Sequence, residues 1–337
     1  MDSTLSEILK QVEGNWIMFD GFCKAYSVLI KHYDIACSVS GGKDSDIMMD
    51  IVTKLDKEKK VRYIWFNTGI EYQATKDHLK YLEQKYGVTI EEVKPLKTIP
   101  VSCKQYGQPF LSKMVSGMLY SLQRNGFKFE DKPMEELLRE YPKCKSAIKW
   151  WCNAYRNVDR GFTYSIYDIS YNKYLKDFLI EHPPWFKISA NCCKYAKKKV
   201  SAKFIKENYI DLMITGVRKA EGGIRSAQYK TCFTPSDVPL GTDFYRPLFW
   251  YKDADEREYE EKFKIQHSEC YTVWGMKRTG CVGCPFNKNL FDDLETIKIH
   301  EPKIYNAAIH IFKDSYEYTR MYREYIQKRK SEEKERK

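Results

Sequence analysis

The chain contains 337 residues, of which 43% are hydrophobic and 15% aromatic, so it has enough apolar material for one large domain or two smaller ones. Lys and Arg number 57 against 46 Asp and Glu, which gives a formal net charge of +11. This composition excludes a wholly disordered chain, and the charge favours partners that carry phosphate, including nucleic acid. Basic runs such as 197–199 can equally be solvated surface.

The amino-terminal segment 1–16 contains acidic residues and no continuous apolar core, so it lacks the pattern of a secretory signal. No stretch approaches the roughly 18 consecutive apolar residues of a membrane span. Eleven cysteines without a secretory signal favour reduced thiols or metal ligands over a disulfide framework. We therefore expect a cytoplasmic protein with no membrane partner.

Four short strand patterns alternate with helical patterns along the chain. The first strand covers 34–39 and ends in a glycine-rich loop, after which apolar spacing predicts a helix capped by Asp44 or Ser45. Further strands are predicted at 61–66, 88–93 and 212–215, with a helix at 74–86. This alternation predicts an α/β fold with a Rossmann-like, mostly parallel sheet and helices on both faces.

The segment between the third and fourth strands interrupts this alternation. Helical patterns at 114–123 and 134–141 predict an inserted, mainly helical subdomain, and the chain beyond residue 251 becomes charged and helical. We predict four regions: 1–99 and 191–260 as the two halves of a nucleotide-binding α/β domain, 100–190 as the inserted subdomain, and 261–337 as a cysteine-containing C-terminal helical segment with a basic tail.

The loop after the first strand has the composition of an anion site. Two glycines let backbone N–H groups turn inward, the following helix start adds a partial positive charge, and Lys43 adds a full one. The serine hydroxyls are further donors, and Asp44 suits either helix capping or Mg²⁺. The alternative is an ordinary strand-to-helix turn. We predict that Lys43 and Asp44 are catalytic and that a nucleotide contacts Ser38, Ser40, Gly41, Gly42, Lys43, Asp44 and Ser45.

The sequence SGGKDS at 40–45 resembles the SGGxDS loop of the adenine nucleotide α-hydrolase superfamily, and the kinase-type spacing G-x-x-x-x-G-K-[ST] is absent. That PP-loop superfamily includes ATP pyrophosphatases, tRNA thiolation enzymes and phosphoadenylyl-sulfate (PAPS) reductases. Segment 65–69 is similar to the DTG segment of the reductases, with Asn67 where Asp is usual. The resemblance covers about 30–100 and 185–305, and it implies that Thr68 and Gly69 contact the nucleotide. Thr68 can equally cap the next helix.

Gly216 and Arg218, followed by Arg225, resemble the GxR…SR segment of the same family. The resemblance implies that Gly216 belongs to the nucleotide site and that the arginines face the phosphate or sulfate. On the residues alone, surface salt bridges are the alternative role for Arg218 and Arg225.

Two cysteine pairs, Cys192-Cys193 and Cys281-x-x-Cys284, are the most specific metal-binding pattern in the sequence. Zinc is the usual occupant of such pairs, but adjacent cysteines reach two different irons of a cubane more readily than one zinc ion, which favours [4Fe–4S]. The same CC…CxxC arrangement occurs in the cluster-bearing adenylyl-sulfate reductases. Four buried free thiols are the alternative, and Cys270 could act as a spare ligand.

Two enzymatic functions and one binding function follow from the resemblance. The first is reduction of PAPS or adenylyl sulfate (APS), although no cysteine follows Cys284 to match the reductases' C-terminal ECGxH nucleophile. The second is ATP- and Mg²⁺-dependent adenylylation of DNA or tRNA before sulfur insertion. The third is a non-catalytic nucleotide-binding subunit. A thiol or sulfur-donor protein and a nucleic acid are the implied partners. The other candidate nucleophiles are Cys103, Cys144, Cys152, Cys232 and Cys270.

Overall fold

The computed structural model describes residues 3–156, 165–222 and 228–336. The chain divides into two compact units, here called unit 1 and unit 2. Unit 1 comprises Met1–Leu96 and Ala196–Cys281, and unit 2 comprises Lys97–Tyr195 and Val282–Lys337. The finer division into four regions stays a prediction.

The strands all belong to unit 1. They are β1 (Ile35–Ser38), β2 (Val61–Phe66), β3 (Ile90–Val93), β4 (Leu212–Thr215), β5 (Phe233–Thr234) and β6 (Asp243–Tyr245). They form one sheet in the order β3-β2-β1-β4-β6-β5, and every neighbouring pair is parallel except β5 with β6. The predicted α/β class with a mostly parallel sheet is therefore confirmed. The sequence did not predict β5 and β6 because strands of two and three residues are too short for an alternating pattern.

The helices account for most of the remaining structure. In chain order they are α1 (Ser3–Gln11), α2 (Trp16–Leu29), α3 (Lys43–Leu55), α4 (Gln73–Tyr86), α5 (Ile99–Tyr106), α6 (Lys113–Arg124), α7 (Met134–Glu140), α8 (Lys145–Trp151), α9 (Leu175–Glu181), α10 (Asn191–Cys193), α11 (Lys199–Glu207), α12 (Asp253–Phe263), α13 (Glu269–Thr272), α14 (Leu290–His300), α15 (Pro302–Ile311) and α16 (Lys313–Glu335). A π-helical turn, Lys194–Lys198, joins α10 to α11.

Both faces of the sheet are covered by helices. Ile35 of β1 lies in one apolar cluster with Phe22 of α2 and Ile47 of α3. Its neighbour Ala36 lies in a second cluster with Phe204 of α11. Because successive strand residues point to opposite faces, these two clusters cover opposite sides of the sheet. The arrangement leaves the carboxyl ends of β1, β2 and β4 at one edge, where their loops meet.

Unit 2 is built around an aromatic core. Trp150 and Trp151 of α8 and Phe178 of α9 are fully buried there, and Tyr318 of α16 packs against Phe178 with a ring-centroid distance of 4.9 Å. The Tyr318 hydroxyl donates to the backbone carbonyl of His182 at 2.5 Å, so the polar end of the ring is also satisfied. No helix in the described part of the chain combines the length and apolar character needed to cross a bilayer.

Candidate functional site

The loop from β1 to α3 needs glycine at its tightest point. Gly41 has φ +67°, a left-handed conformation, and a Cβ placed on it would lie 2.9 Å from the Thr75 side chain of α4. Inside the loop, the Ser40 amide donates to Ser45 Oγ at 2.8 Å and the Gly42 amide to Ser40 Oγ at 3.4 Å. Both hydroxyls accept these bonds and so keep their own hydrogens for a ligand.

Helix α3 begins at Lys43, with Gly42 as its N-cap and without a side-chain cap. The prediction that Asp44 or Ser45 caps this helix is wrong, because both lie inside its first turn and Ser45 Oγ is bonded to Ser40 instead. An N-terminus that no side chain caps keeps amide donors and a positive dipole end for an external anion.

A cavity of about 500 Å³ opens over this loop, within unit 1. The predicted nucleotide contacts that line it are Ser38, Ser40, Gly42, Lys43, Asp44, Ser45, Gly216 and Arg218. Gly41, Thr68 and Gly69 do not line it, and Arg225 lies outside the described residues. Lys197, Lys277 and Arg278 add three further basic side chains to its wall. The cavity therefore presents cationic groups on more than one side.

Thr68 is buried beside the cavity rather than in its wall. Its amide and its hydroxyl both donate to Glu71 Oε1, at 3.2 and 2.5 Å. Helix α4 has Tyr72 as its N-cap, so the alternative role of Thr68 as that cap is wrong. Glu71 does line the cavity; burial raises its pKa, while the charge of Lys197 and the bonds from Thr68 oppose that shift. Thr68 thus holds Glu71 in place.

Arg218 joins three carboxylates at the cavity wall. Its Nε lies 3.3 Å from Asp44 Oδ1, and its two terminal nitrogens lie 2.9 Å from Asp253 Oδ1 and 2.8 Å from Glu256 Oε2. The Arg218 side chain is only 11% exposed, so the alternative role in salt bridges holds for largely buried ion pairs, and its contact with a nucleotide stays a prediction. A Cβ on Gly216 would lie 3.2 Å from the Asp44 carbonyl oxygen, which explains the glycine that precedes this arginine.

Glu256 of α12 was not predicted as a site residue. Burial, together with a hydrogen bond to Asp44 and the charge of that carboxylate, raises the pKa of Glu256 to about 9, although Arg218 opposes the shift. Glu256 Oε1 is buried and has no hydrogen-bond partner among the described residues. The residue lines the cavity, so this oxygen is an acceptor available to a ligand or a cation there.

Behind the loop, Asp46 of α3 is fully buried and binds two histidines. Its Oδ2 lies 3.0 Å from His78 Nε2 and 2.8 Å from His267 Nδ1, and His267 Nε2 lies 3.0 Å from Glu260. Burial alone would lower the pKa of His267, but its bonds to the two carboxylates raise it to about 9. His267 is therefore held as an imidazolium that ties α12 and the start of α13 to α3.

The predicted metal ligands are divided between the two units: Cys281 belongs to unit 1, and the other three belong to unit 2. Within unit 2, a hydrogen bond that the buried Cys192 thiol donates to Cys103 raises its pKa, a bond that it accepts from Cys193 opposes this, and burial and the charges of Cys103 and Cys284 add to the rise. Among the described residues, no three His, Cys, Asp or Glu side chains are arranged as a metal site. The [4Fe–4S] cluster and its zinc alternative stay predictions.

Comparisons with known proteins find one family model and two solved structures that are similar to this chain. A family model described as phosphoadenosine phosphosulfate reductase domain matches residues 34–121. A PAPS reductase from Candida auris, solved as a phosphate complex, is 14% identical, with a TM-score of 0.43 over 82% of this chain and 95% of that one. The U34-tRNA thiolase NcsA from Methanococcus maripaludis, solved with its [4Fe–4S] cluster, is 13% identical, with a TM-score of 0.38 over 90% and 79%.

No curated protein has significant sequence similarity to the chain. The matched segment begins just before β1 and includes the loop 40–45, the end of β2 and the residues around Thr68. Residues 34–121 are therefore similar to the phosphoadenosine phosphosulfate reductase domain.

Proposed function

We propose that this protein is an enzyme that binds an adenine nucleotide by its phosphate or sulfate end on the loop 40–45 and acts in sulfur transfer or sulfonucleotide reduction. The observation that carries the proposal is the wall of the unit 1 cavity. The start of α3, the Ser40 and Ser45 hydroxyls and Lys43 all border the same space. This donor set suits a phosphate or sulfate better than an uncharged ligand.

In the reductase reaction, a thiolate attacks the sulfur of the bound sulfonucleotide. The bond between sulfur and the bridging phosphate oxygen breaks, and the nucleotide leaves with the electron pair. The first thiol now carries a thiosulfonate. A second thiol attacks the sulfur atom of the first thiol, the bond from that atom to the sulfonate breaks, and sulfite leaves as a disulfide forms. Lys43 would stabilise the charge that develops on the leaving phosphate. None of the described residues that line the cavity is a cysteine, so we propose a thiol-donor protein as partner.

ATP is a second candidate substrate, favoured by the Asp44 carboxylate and the unpartnered Glu256 Oε1, because a cation bound there would oppose the raised pKa of Glu256 and ionise it. Mg²⁺ commonly takes one or two carboxylates and completes its shell with water and substrate phosphate oxygens, so this donor set fits the ion. Bound there, Mg²⁺ would neutralise phosphate charge. An acceptor oxygen on DNA or tRNA attacks the α-phosphorus, the bond to the bridging oxygen breaks, and pyrophosphate leaves. A sulfur nucleophile from a donor protein then displaces AMP.

Phosphorus NMR of the products distinguishes these functions. Anaerobically purified protein is offered ATP and PAPS with Mg²⁺, a thiol reductant and a mixture of tRNA and DNA. Adenosine 3′,5′-bisphosphate with ATP unchanged identifies a reductase, whereas AMP and pyrophosphate identify an adenylylating enzyme. Nucleotide binding without turnover would instead identify a non-catalytic subunit.

Lys43→Ala provides the matched test of the loop. We expect it to weaken nucleotide affinity by about 10- to 100-fold, the range for a hydrogen bond to a charged group. Lys80→Ala is the control, because Lys80 lies on α4 in the same unit and its side chain is 72% exposed. If Lys43→Ala binds nucleotide as tightly as the unmodified protein, the loop is not the phosphate site.

A further inference from the structure

A second segment of unit 1 lies against the phosphate loop. It runs from α13 to Gly280, and Tyr271 and Thr279 in it line the cavity. A Cβ placed on Gly42 would lie 3.4 Å from the Tyr271 hydroxyl oxygen and 3.6 Å from Thr279 Oγ1. Both hydroxyls therefore lie next to the residue that precedes α3.

This segment is fixed to the helix that it faces. His267, just before α13, is bonded to Asp46 in the first turn of α3. The Tyr271 ring lies under the Lys43 ammonium, with 5.3 Å between the nitrogen and the ring centroid. Such a cation–π contact holds a lysine side chain in one direction without neutralising it. The segment thus has a defined position relative to Lys43.

The hydroxyl groups of Tyr271 and Thr279 share one hydrogen bond, so one of their two hydrogens is not used in it. The Thr279 amide donates to the Tyr271 oxygen at 3.1 Å, and the two hydroxyl oxygens lie 2.7 Å apart. Burial raises the pKa of the Tyr271 phenol, and hydrogen bonds from Thr279 and from the Lys43 backbone amide oppose the rise. Either hydroxyl can donate in this pair, so one of the two hydroxyl hydrogens stays outside it. When the phenol donates, the Thr279 hydroxyl hydrogen is the one that a ligand can accept.

We propose that Thr279 is a ligand-binding residue of the loop, donating its hydroxyl hydrogen to a phosphoryl or sulfuryl oxygen, and that Tyr271 is its positioning residue. This inference deepens the proposed function and rests on it. The anion would be held between two walls, with the Ser40 and Ser45 hydroxyls on one side and Thr279 on the other. Neither Tyr271 nor Thr279 belongs to the SGGKDS pattern.

The test measures binding of inorganic pyrophosphate, ATP with Mg²⁺, and PAPS by titration calorimetry. Thr279→Val removes the hydroxyl at nearly constant volume, and we expect it to weaken binding of each ligand that the unmodified protein binds by about 3- to 10-fold, the range for a neutral hydrogen bond. Thr279→Ser restores the hydroxyl and should restore affinity. Thr272→Val is the control, since that threonine on α13 does not line the cavity.

Tyr271→Phe keeps the ring under Lys43 and removes the bond to Thr279. If Tyr271 acts through Thr279, the double variant Tyr271→Phe, Thr279→Val should bind no more weakly than Thr279→Val alone. Additive losses would contradict the positioning role. Tyr209→Phe, at a residue 84% exposed in the same unit, is the matched control for loss of a phenol.

The outcomes separate this inference from the proposed function. If Thr279→Val weakens the binding of pyrophosphate, the inference is supported. If the unmodified protein binds pyrophosphate but neither nucleotide, only the adenine-nucleotide function is overturned. Equal pyrophosphate affinity in Thr279→Val and the unmodified protein overturns the inference while leaving nucleotide binding intact. A folded protein that binds neither pyrophosphate nor nucleotide overturns both.

Discussion

Unit 1 and unit 2 bury reactive side chains in different ways. In unit 1, Arg218 is buried with Asp44 and Glu256, and these charged groups border an open cavity. In unit 2, the Cys192 thiol is 3% exposed, and its hydrogen bond to Cys103 and its burial raise its pKa. Burial favours the neutral form of an acid, whereas an opposite charge stabilises the ionised form. Unit 1 is thus suited to anionic ligands, whereas Cys192 needs a metal or a base to ionise.

The largest expected effect concerns the thiols. If the four predicted cysteine ligands hold an iron–sulfur cluster, Cys192→Ser should abolish iron binding, because a hydroxyl is a poor replacement for a cluster thiolate. Iron and zinc are measured together in anaerobically purified protein, so that the zinc alternative is tested in the same sample. Cys144→Ser is the matched control, since Cys144 is equally buried in unit 2. An unmodified protein without iron, or a Cys192→Ser variant that keeps it, would contradict the cluster prediction.

The next effect concerns the charged network of unit 1. Arg218→Ala leaves two largely buried carboxyl groups without their cation, and we expect the free energy of unfolding to fall by about 3–5 kcal/mol. Urea denaturation measures this change. In Lys203→Ala the lost ion pair with Glu207 is 56% and 61% exposed, so a change within about 1 kcal/mol is expected. Similar losses in both variants would mean that burial does not distinguish the two ion pairs.

The smallest effect depends on pH. The folded-state pKa of His267, about 9, exceeds the ordinary value of 6.5, so its bonds to Asp46 and Glu260 stabilise the fold fully below pH 6.5. That stabilisation is lost as the pH rises through about 9. His267→Gln should therefore lower the unfolding free energy by about 2 kcal/mol at pH 6 and by much less at pH 10.

The control for this pH dependence is His310→Gln, at an exposed histidine of α15 in unit 2. The unfolding free energy of this variant should differ from that of the unmodified protein by the same amount at pH 6 and at pH 10. If His267→Gln lowers the unfolding free energy equally at both pH values, the packing of the ring stabilises unit 1 and its charge does not.

Local signals predicted the centre of the site well. The strand at 61–66 and the strand at 212–215 were predicted with the bounds that the structure has, because each is a buried apolar run bounded by loop residues. The cap of α3 was predicted wrongly, since Ser45 is bonded to Ser40 within the loop. That choice between two amide donors for one hydroxyl acceptor depends on the path of the loop, which residue type alone does not specify.

By itself the sequence determined the α/β class and the loop 40–45, because strand and helix periods and the donors of one anion site all lie within short stretches of chain. Only the tertiary structure decided which distant side chains join that loop. It brought Arg218 to Asp44 and His267 to Asp46 across 174 and 221 residues, and it placed Thr279 beside Gly42. These contacts depend on how α12, α13 and the loop after β4 pack against α3, and such packing leaves no local pattern in the residues that it joins.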